Sequence, residues 1–517
     1  MTKHAAITER IAALSPEQQE LLRRRLRERG LSMPGDVSTA AAGMADAPLS
    51  HEQEGLWFLE QLDPGNVAYN EAIALRMHGP LDVPALERGL NTILGRHAGL
   101  RTTIIAGADG PQQHVNAFAP FSLPVLPIDS SQAQRDQVAA AVAEPFCLDA
   151  GPLWRVRLFR AASDEHLLLV VIHHIIADGW SLGIFVREIS ELYSADVAGR
   201  EVRLPALPVD YCSYAYRQRQ RSSRESVAEH LRFWKEQLRG LPPDPTGVPS
   251  RIDRPGECAR RSFILSDEIA HRVRMLAREE GVSLFTVLLS AFDVMLMIDS
   301  GLDDIVVGTD VANRPSAELE GVIGLFVNQA VLRADLSGDP GFRTLIARVH
   351  SGVLDAFAHV DLPFSRMVAE LQELRRAPRS PLFTAKFVMQ NAPLPSIGLE
   401  GLATELVDIG SGAAKFDLLI DMWDVRTSLH GTVTCSANGR STGSIDRIIM
   451  NYEYLLSVLV GYPDLPISRA GAELERHRES YLERERAARR AARREGLQSF
   501  IRRPPESRKD SLEVGDE

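Results

Sequence analysis

The chain has 517 residues, of which 44% are hydrophobic and 25% charged, values typical of a folded globular protein. Its formal net charge of −11 argues against a nucleic-acid partner, and no apolar run reaches the length of a membrane span. The four cysteines (Cys147, Cys212, Cys258 and Cys435) are widely spaced and form neither a disulfide nor a zinc pattern, and the polar start MTKHAAITER is no signal peptide, so a reducing cytoplasm is the expected setting.

In chain order, residues 1–31 read as one or two short helices, with Ser15-Pro16-Glu17-Gln18 as an N-terminal cap and Gly30 as a stop. Residues 32–48, rich in Ala, Gly, Ser and Pro, read as a linker. A first lobe is expected over 49–225. Within it Leu167 to Ile172 is an unbroken apolar run, the pattern of a strand buried on both faces. The run His173-His174-Ile175-Ile176-Ala177-Asp178-Gly179-Trp180-Ser181 follows. Leu182, Phe185, Ile189 and Leu192 then recur at helical spacing, with Ser181 as the expected N-cap.

A second lobe is expected over 226–468. It starts around a helix containing Phe233 and Trp234 and passes through a Pro-rich connector from Leu241 to Pro255. Ser283 to Met297 is too apolar all round for a surface helix and should be buried. Ile305-Val306-Val307-Gly308, Phe326 to Leu332, Phe383 to Met389 and Phe416 to Trp423 read as strands. Strands interleaved with long helices in both halves predict α/β lobes. In 469–517, Glu473 to Arg494 carries glutamates early and arginines late, which suits a helix dipole. Glu485–Arg489 is an i, i+4 pair, Gly496 a terminator and Arg502 to Glu517 a disordered tail. A solvated helix is the plainer reading of this region, and a docking segment for a partner the sharper one.

The histidine run carries the chemistry. Successive strand residues point to opposite faces, so one histidine can act on substrate while the other packs or hydrogen-bonds behind it, and a satisfied structural histidine at the strand end is the alternative reading of this run alone. An imidazole titrates near neutral pH and suits removal of a proton from an attacking amine or hydroxyl. Asp178 is expected to hold the loop through an arginine pair, and Gly179 to allow close approach or positive φ. Adjacent histidines are a poor metal signal, and there is no HExxH, CxxC or His-rich tract, so no metal is expected.

This run resembles the HHxxxDG signature of the condensation-domain superfamily of nonribosomal peptide synthetases, related to chloramphenicol acetyltransferase. The resemblance runs in order over about residues 47 to 465. It takes in Leu49 to Leu59, Tyr69-Asn70, Gly79-Pro80-Leu81-Asp82, Arg96 to Thr102, Asp210-Tyr211 with Tyr214-Ala215, Ile323 to Asn328, His359 to Phe364 and Ser380 to Phe383. The departures are Gly55 where many members carry arginine, Cys147 where aspartate is usual, and Gln329 where threonine is commoner. Gly179-Trp180-Ser181 is similar to condensation members rather than epimerisation members. Heterocyclisation members carry aspartates in place of both histidines, and the first motif looks most like members accepting an L-configured donor.

The resemblance implies two acetyltransferase-like lobes in a V-shaped pseudo-dimer with short helical appendages, and a channel at their junction. It implies that His174 positions the acceptor and takes its proton, that His173 supports the loop, and that the backbone at Gly179 shapes the thioester site. Arg314 would pair with Asp178 across the lobes, and Trp180, Ser181 and Asn328 would line the substrate channel. No metal, nucleotide or redox cofactor is implied, because the acyl group arrives as a thioester on the 4'-phosphopantetheine of a peptidyl or acyl carrier protein. The acceptor is a small molecule or carrier-bound, the product an amide or ester, and a monomer suffices. Neither an adenylation-type phosphate loop nor a carrier serine motif is found; taken as complete, the chain resembles the free-standing condensation enzymes, a fragment of a larger module is the alternative, and Met1 with the distinctive tail favours a natural entity. An acyl-CoA-dependent acyltransferase is the alternative within the superfamily, and a non-catalytic carrier-docking domain the alternative outside enzymes.

Overall fold

The computed structural model describes residues 45–108, 110–221, 224–246, 258–371, 382–390, 398–407, 409, 414–425, 428–436 and 442–501. The expected helices of 1–31, most of the 32–48 linker, part of the Pro-rich connector and the tail from Arg502 lie outside these residues. The last linker residues form a strand instead: β1 (Asp46–Pro48) pairs antiparallel with one of two hairpin strands, β3 (Thr102–Gly107) and β4 (Gly110–Val115). Helix α1 (His51–Leu62) follows at once. Ser50 accepts the Gln53 N–H while the Gln53 side chain accepts the Ser50 N–H, a reciprocal cap that satisfies two end donors.

The first lobe is a five-stranded sheet made of β2 (Asn70–His78), β5 (Val125–Pro127), β6 (Trp154–Arg160), β7 (Glu165–His173) and β12 (Ala403–Val407). Their order is β12-β2-β7-β6-β5. Every residue of β7 after Glu165 is buried, as the apolar run predicts. Helices α2 (Val83–Arg96), α3 (Ser131–Val142) and α4 (Gly179–Val197) contribute their apolar residues to the same core. Strand β12 belongs by chain position to the second lobe, yet it crosses back and pairs antiparallel with β2.

The second lobe is a six-stranded mixed sheet of β8 (Cys258–Ile264), β9 (Asp304–Val311), β10 (Asn328–Asp335), β11 (Ala385–Gln390), β13 (Leu418–Val425) and β14 (Ser428–Ser436), in the order β10-β9-β11-β13-β14-β8. Helices α7 (Asp267–Glu280), α8 (Leu284–Ser300), α9 (Phe342–Ala358) and α11 (Thr442–Gly461) share its core. As its composition predicts, α8 is buried from Thr286 to Leu296 without a break. Each large apolar side chain removed from water there stabilises the fold by about 1.5–3 kcal/mol.

Helix α5 (Tyr211–Arg221) lies at the seam between lobes, and α6 (Arg224–Gln237) leads into the second. The seam has its own small core of Val209, Tyr211, Leu319, Val322, Leu325 and Phe326. Helix α10 (Phe364–Glu370) of the second lobe packs on α1 of the first, and a Cβ at Gly55 would stand 3.0 Å from Cβ of Ser365. The last helix, α12 (Ile467–Ile501), differs from expectation at both ends. Its first turns bury Ile467, Ala470 and Leu474 in the second core, and it runs through Gly496 instead of stopping there. A single interior glycine costs a helix only about 1 kcal/mol, so it does not end one unaided.

Candidate active site

Strand β7 delivers the two histidines and then stops, because the backbone turns into a single 3-10 turn over His174–Ile176. His173 caps that turn: its Nδ1 accepts the Ile175 N–H at 3.1 Å, and its ring packs edge-on to Phe146. Burial, then the neighbouring His174 and Lys415, push its pKa down to about 3, so the ring is neutral and already bonded. Through Nδ1, His173 supports the loop.

His174 has the opposite environment. Its Nδ1 lies 2.7 Å from the Ala177 carbonyl oxygen, which only accepts, so Nδ1 carries the proton and Nε2 is left with its lone pair. Burial, then Lys415, lowers its pKa below 6.5 against the pull of Glu71, which keeps the ring neutral at pH 7. The side chain is 18% accessible, and its Nε2 lies 4.0 Å from Oε1 of Glu71. A fixed tautomer, an available lone pair and an accessible edge are what a general base requires.

Asp178 is the N-cap of α4 and displaces Ser181 from the role its sequence position suggested. Its Oδ1 accepts the Ser181 N–H at 2.9 Å and its Oδ2 accepts the Phe326 N–H at 3.0 Å. Arg314 Nη2 donates to both oxygens, at 3.0 and 3.3 Å, with both side chains almost wholly buried. Arg314 Nη1 donates to the carbonyls of Leu319 and Val322, and the guanidinium lies 3.9 Å from the Phe326 ring centroid. The expected pair is therefore a cross-lobe tie with nearly every donor used, the arrangement that makes a buried ion pair tolerable.

Three expectations are corrected. Ser181 does not line a channel: it is buried, its Oγ accepts the Gly324 N–H and lies 2.7 Å from Oδ1 of Asp178. Asn328 is likewise buried, donating to the carbonyls of Val360 and Leu362 and accepting the Phe364 N–H, so it clamps the loop before α10. Gly179 has neither positive φ nor a crowded backbone; it is exposed, and a Cβ there would meet nothing within 4 Å. Trp180 reaches over the seam, its Nε1 donating to the Glu320 carbonyl at 2.9 Å.

Three residues escaped the sequence reading. Gln53 of α1 donates to the Ile175 carbonyl at 3.0 Å, which ties the first motif to the histidine loop. Glu71 on β2 and Lys415 before β13 form an ion pair of 2.6 Å beside His174. Burial alone would raise the Glu71 pKa, but Lys415 and then His174 outweigh it and hold the carboxyl at about 2. Pairing of β2 with β7, with Asn70 opposite His173, places Glu71 next to the loop. The only sequence signal for Glu71 was its position after Tyr69-Asn70, and Lys415 lies 344 residues away. A separate cavity of about 410 Å³, lined among others by Arg96, Arg101, Asp210 and Ile323, does not include His174.

The condensation-domain family model matches residues 44–480. The chain is 38% identical over 444 residues to chondramide synthase cmdD of Chondromyces crocatus, a match covering 83% of this chain and 11% of that protein. It is 36% identical over 440 residues to phosphinothricin tripeptide synthetase PhsC of Streptomyces viridochromogenes, covering 82% of this chain and 40% of that protein. The chain thus spans less than half the length of these curated relatives. Among solved structures, the X-domain from teicoplanin biosynthesis superposes with a TM-score of 0.72 at 25% identity, covering 83% of this chain and 98% of that one.

Proposed function

The chain belongs to the condensation-domain family, and from that premise we propose that it transfers an acyl group from a carrier-protein thioester to an amine or hydroxyl acceptor in nonribosomal peptide or hybrid polyketide-peptide biosynthesis. The observation that carries this reading is the state of His174: Nδ1–H is committed to the Ala177 carbonyl, and Nε2 keeps its lone pair on a side chain that is 18% accessible.

In this mechanism the acceptor's nucleophilic atom attacks the thioester carbonyl carbon. His174 Nε2 takes the acceptor proton as the new bond forms, and that proton passes to the departing sulfur as the carbon–sulfur bond breaks. Gly179, exposed and with nothing within 4 Å of a Cβ built on it, leaves room for the donor. Holding donor and acceptor in line contributes the larger share of the acceleration, and proton transfer roughly 10²–10⁴-fold. The thioester supplies the driving force, so the phosphopantetheine arm enters as part of the substrate.

His174→Ala, with an unchanged melting temperature, is expected to lower product formation from a loaded carrier by roughly 10²–10⁴-fold. Mass spectrometry of carriers incubated with a panel of acceptors measures it, and a folded variant at full rate would refute the assignment. Preference for acyl-CoA over the carrier-bound donor would redirect the reading to a free-substrate acyltransferase. Carrier binding with no turnover of any donor would redirect it to a docking domain.

A further inference from the structure

Among the described residues several ion pairs join the lobes, Arg217–Glu318 at the seam included, and the two that involve the histidine loop differ in exposure. Asp178 and Arg314 retain 3% and 2% of their side-chain surface, which seals them into the packing. Glu71 and Lys415 retain 26% and 25%, and His174 beside them 18%. The Glu71–Lys415 pair is thus partly open, and it lies beside a base that is partly open as well.

The groups on that open side have matching chemistry. His174 Nε2 only accepts, because Nδ1 holds the ring proton. Glu71 Oε1 only accepts, because Lys415 keeps the carboxyl ionised, at about 2. Two acceptors 4.0 Å apart leave room for one donor atom within roughly 2.8–3.2 Å of both. A nitrogen bearing two hydrogens satisfies both at once, and a hydroxyl, with one hydrogen, satisfies only one.

Resting on the condensation reading above, we propose that Glu71, held by Lys415, is a specificity-determining residue that anchors the acceptor as an amine, one N–H directed to His174 Nε2 and a second to Glu71 Oε1. An acceptor arriving as an ammonium ion first gives its extra proton to water. The nitrogen lone pair then forms the C–N bond, the C–S bond breaks with its electrons on sulfur, and the proton moves from nitrogen through Nε2 to sulfur. Glu71 stays a carboxylate throughout. It binds and aligns the nucleophile and leaves proton transfer to the imidazole.

The test compares matched acceptors, an L-amino acid and its L-2-hydroxy acid counterpart as N-acetylcysteamine thioesters, with one acyl-pantetheine donor. In Glu71→Gln the preference for amine over hydroxyl in kcat/KM is expected to fall roughly 10- to 100-fold, because a charged acceptor is exchanged for a neutral amide that can also turn its NH2 toward the acceptor nitrogen. A Glu71→Gln/Lys415→Met double variant, which leaves no unpaired charge, repeats the measurement if the single variant folds poorly and is expected to show the same collapse. A preference that shifts by less than tenfold, even with both rates depressed, marks the pair as purely structural and overturns the proposal. Wild-type failure with every acceptor pair and donor removes the underlying reaction and overturns both readings. Full activity of His174→Ala refutes only the base assignment.

Discussion

At the scale of single residues, two adjacent imidazoles with identical intrinsic chemistry are driven apart by what surrounds them. His173 is bonded, buried and held down to about 3, whereas unfolded it titrates near 6.5. Between those values the unfolded chain binds a proton that the folded chain does not, so this position contributes stability in full above pH 6.5 and loses it as pH falls toward 3. His173→Asn keeps an oxygen to accept the Ile175 N–H and removes the titration. Its denaturant midpoint is expected to depend less steeply on pH between 4 and 6.5 than that of the wild type. For the sealed cross-lobe pair, Arg314→Met strands the Asp178 carboxylate and is expected to cost about 3–5 kcal/mol in urea unfolding. Adding Asp178→Asn should recover part of that loss, because the stranded charge is then gone.

At the scale of elements, α8 carries a carboxyl, Asp293, that is almost wholly buried. Burial raises the Asp293 pKa well above 3.8, so the folded state holds a proton that the unfolded state releases. Stability therefore falls as pH rises above 3.8, and Asp293→Asn escapes that loss. The variant is expected to melt higher than the wild type at pH 7 and to lose this advantage at pH 3.5. The seam is equally exacting: a Cβ at Gly324 would stand 1.9 Å from the Tyr211 ring. Gly324→Ala should cost about 1–3 kcal/mol, seen as a lowered urea midpoint.

The elements also show what a sequence discloses. Strand β7 and helix α8 were legible because each is a continuous apolar stretch whose burial local composition encodes. His174, Asp178 and Arg314 were legible because they lie in motifs. Ser181 and Asn328 were misassigned for a physical reason: a polar residue beside a site reads the same whether it faces substrate or satisfies buried backbone. Glu71 and Lys415 were invisible because their partnership is created by the fold, between a strand of one lobe and a loop of the other.

At the scale of the whole molecule, two large cores meet over a small seam core, and Tyr211 joins its parts: its hydroxyl lies 2.9 Å from Oγ of Ser50 and also bonds the Leu325 carbonyl. Tyr211→Phe removes that tie while leaving both lobe cores intact. Calorimetry is expected to resolve two partly separated melting steps where the wild type shows a narrower span, because cooperativity between the lobes passes through this contact and the buried ion pair.

The return of β12 to the first sheet has a consequence for any attempt to divide the chain. A fragment ending near residue 225 would carry both His173 and His174 but leave the outer flank of β2 bare, with the N–H and C=O groups that Ala74 to His78 turn toward β12 unanswered. Such a flank recruits whatever strand is nearest, most readily one from a second fragment, so the truncated piece should self-associate. Supplying residues 398–407 as a separate peptide should suppress that association.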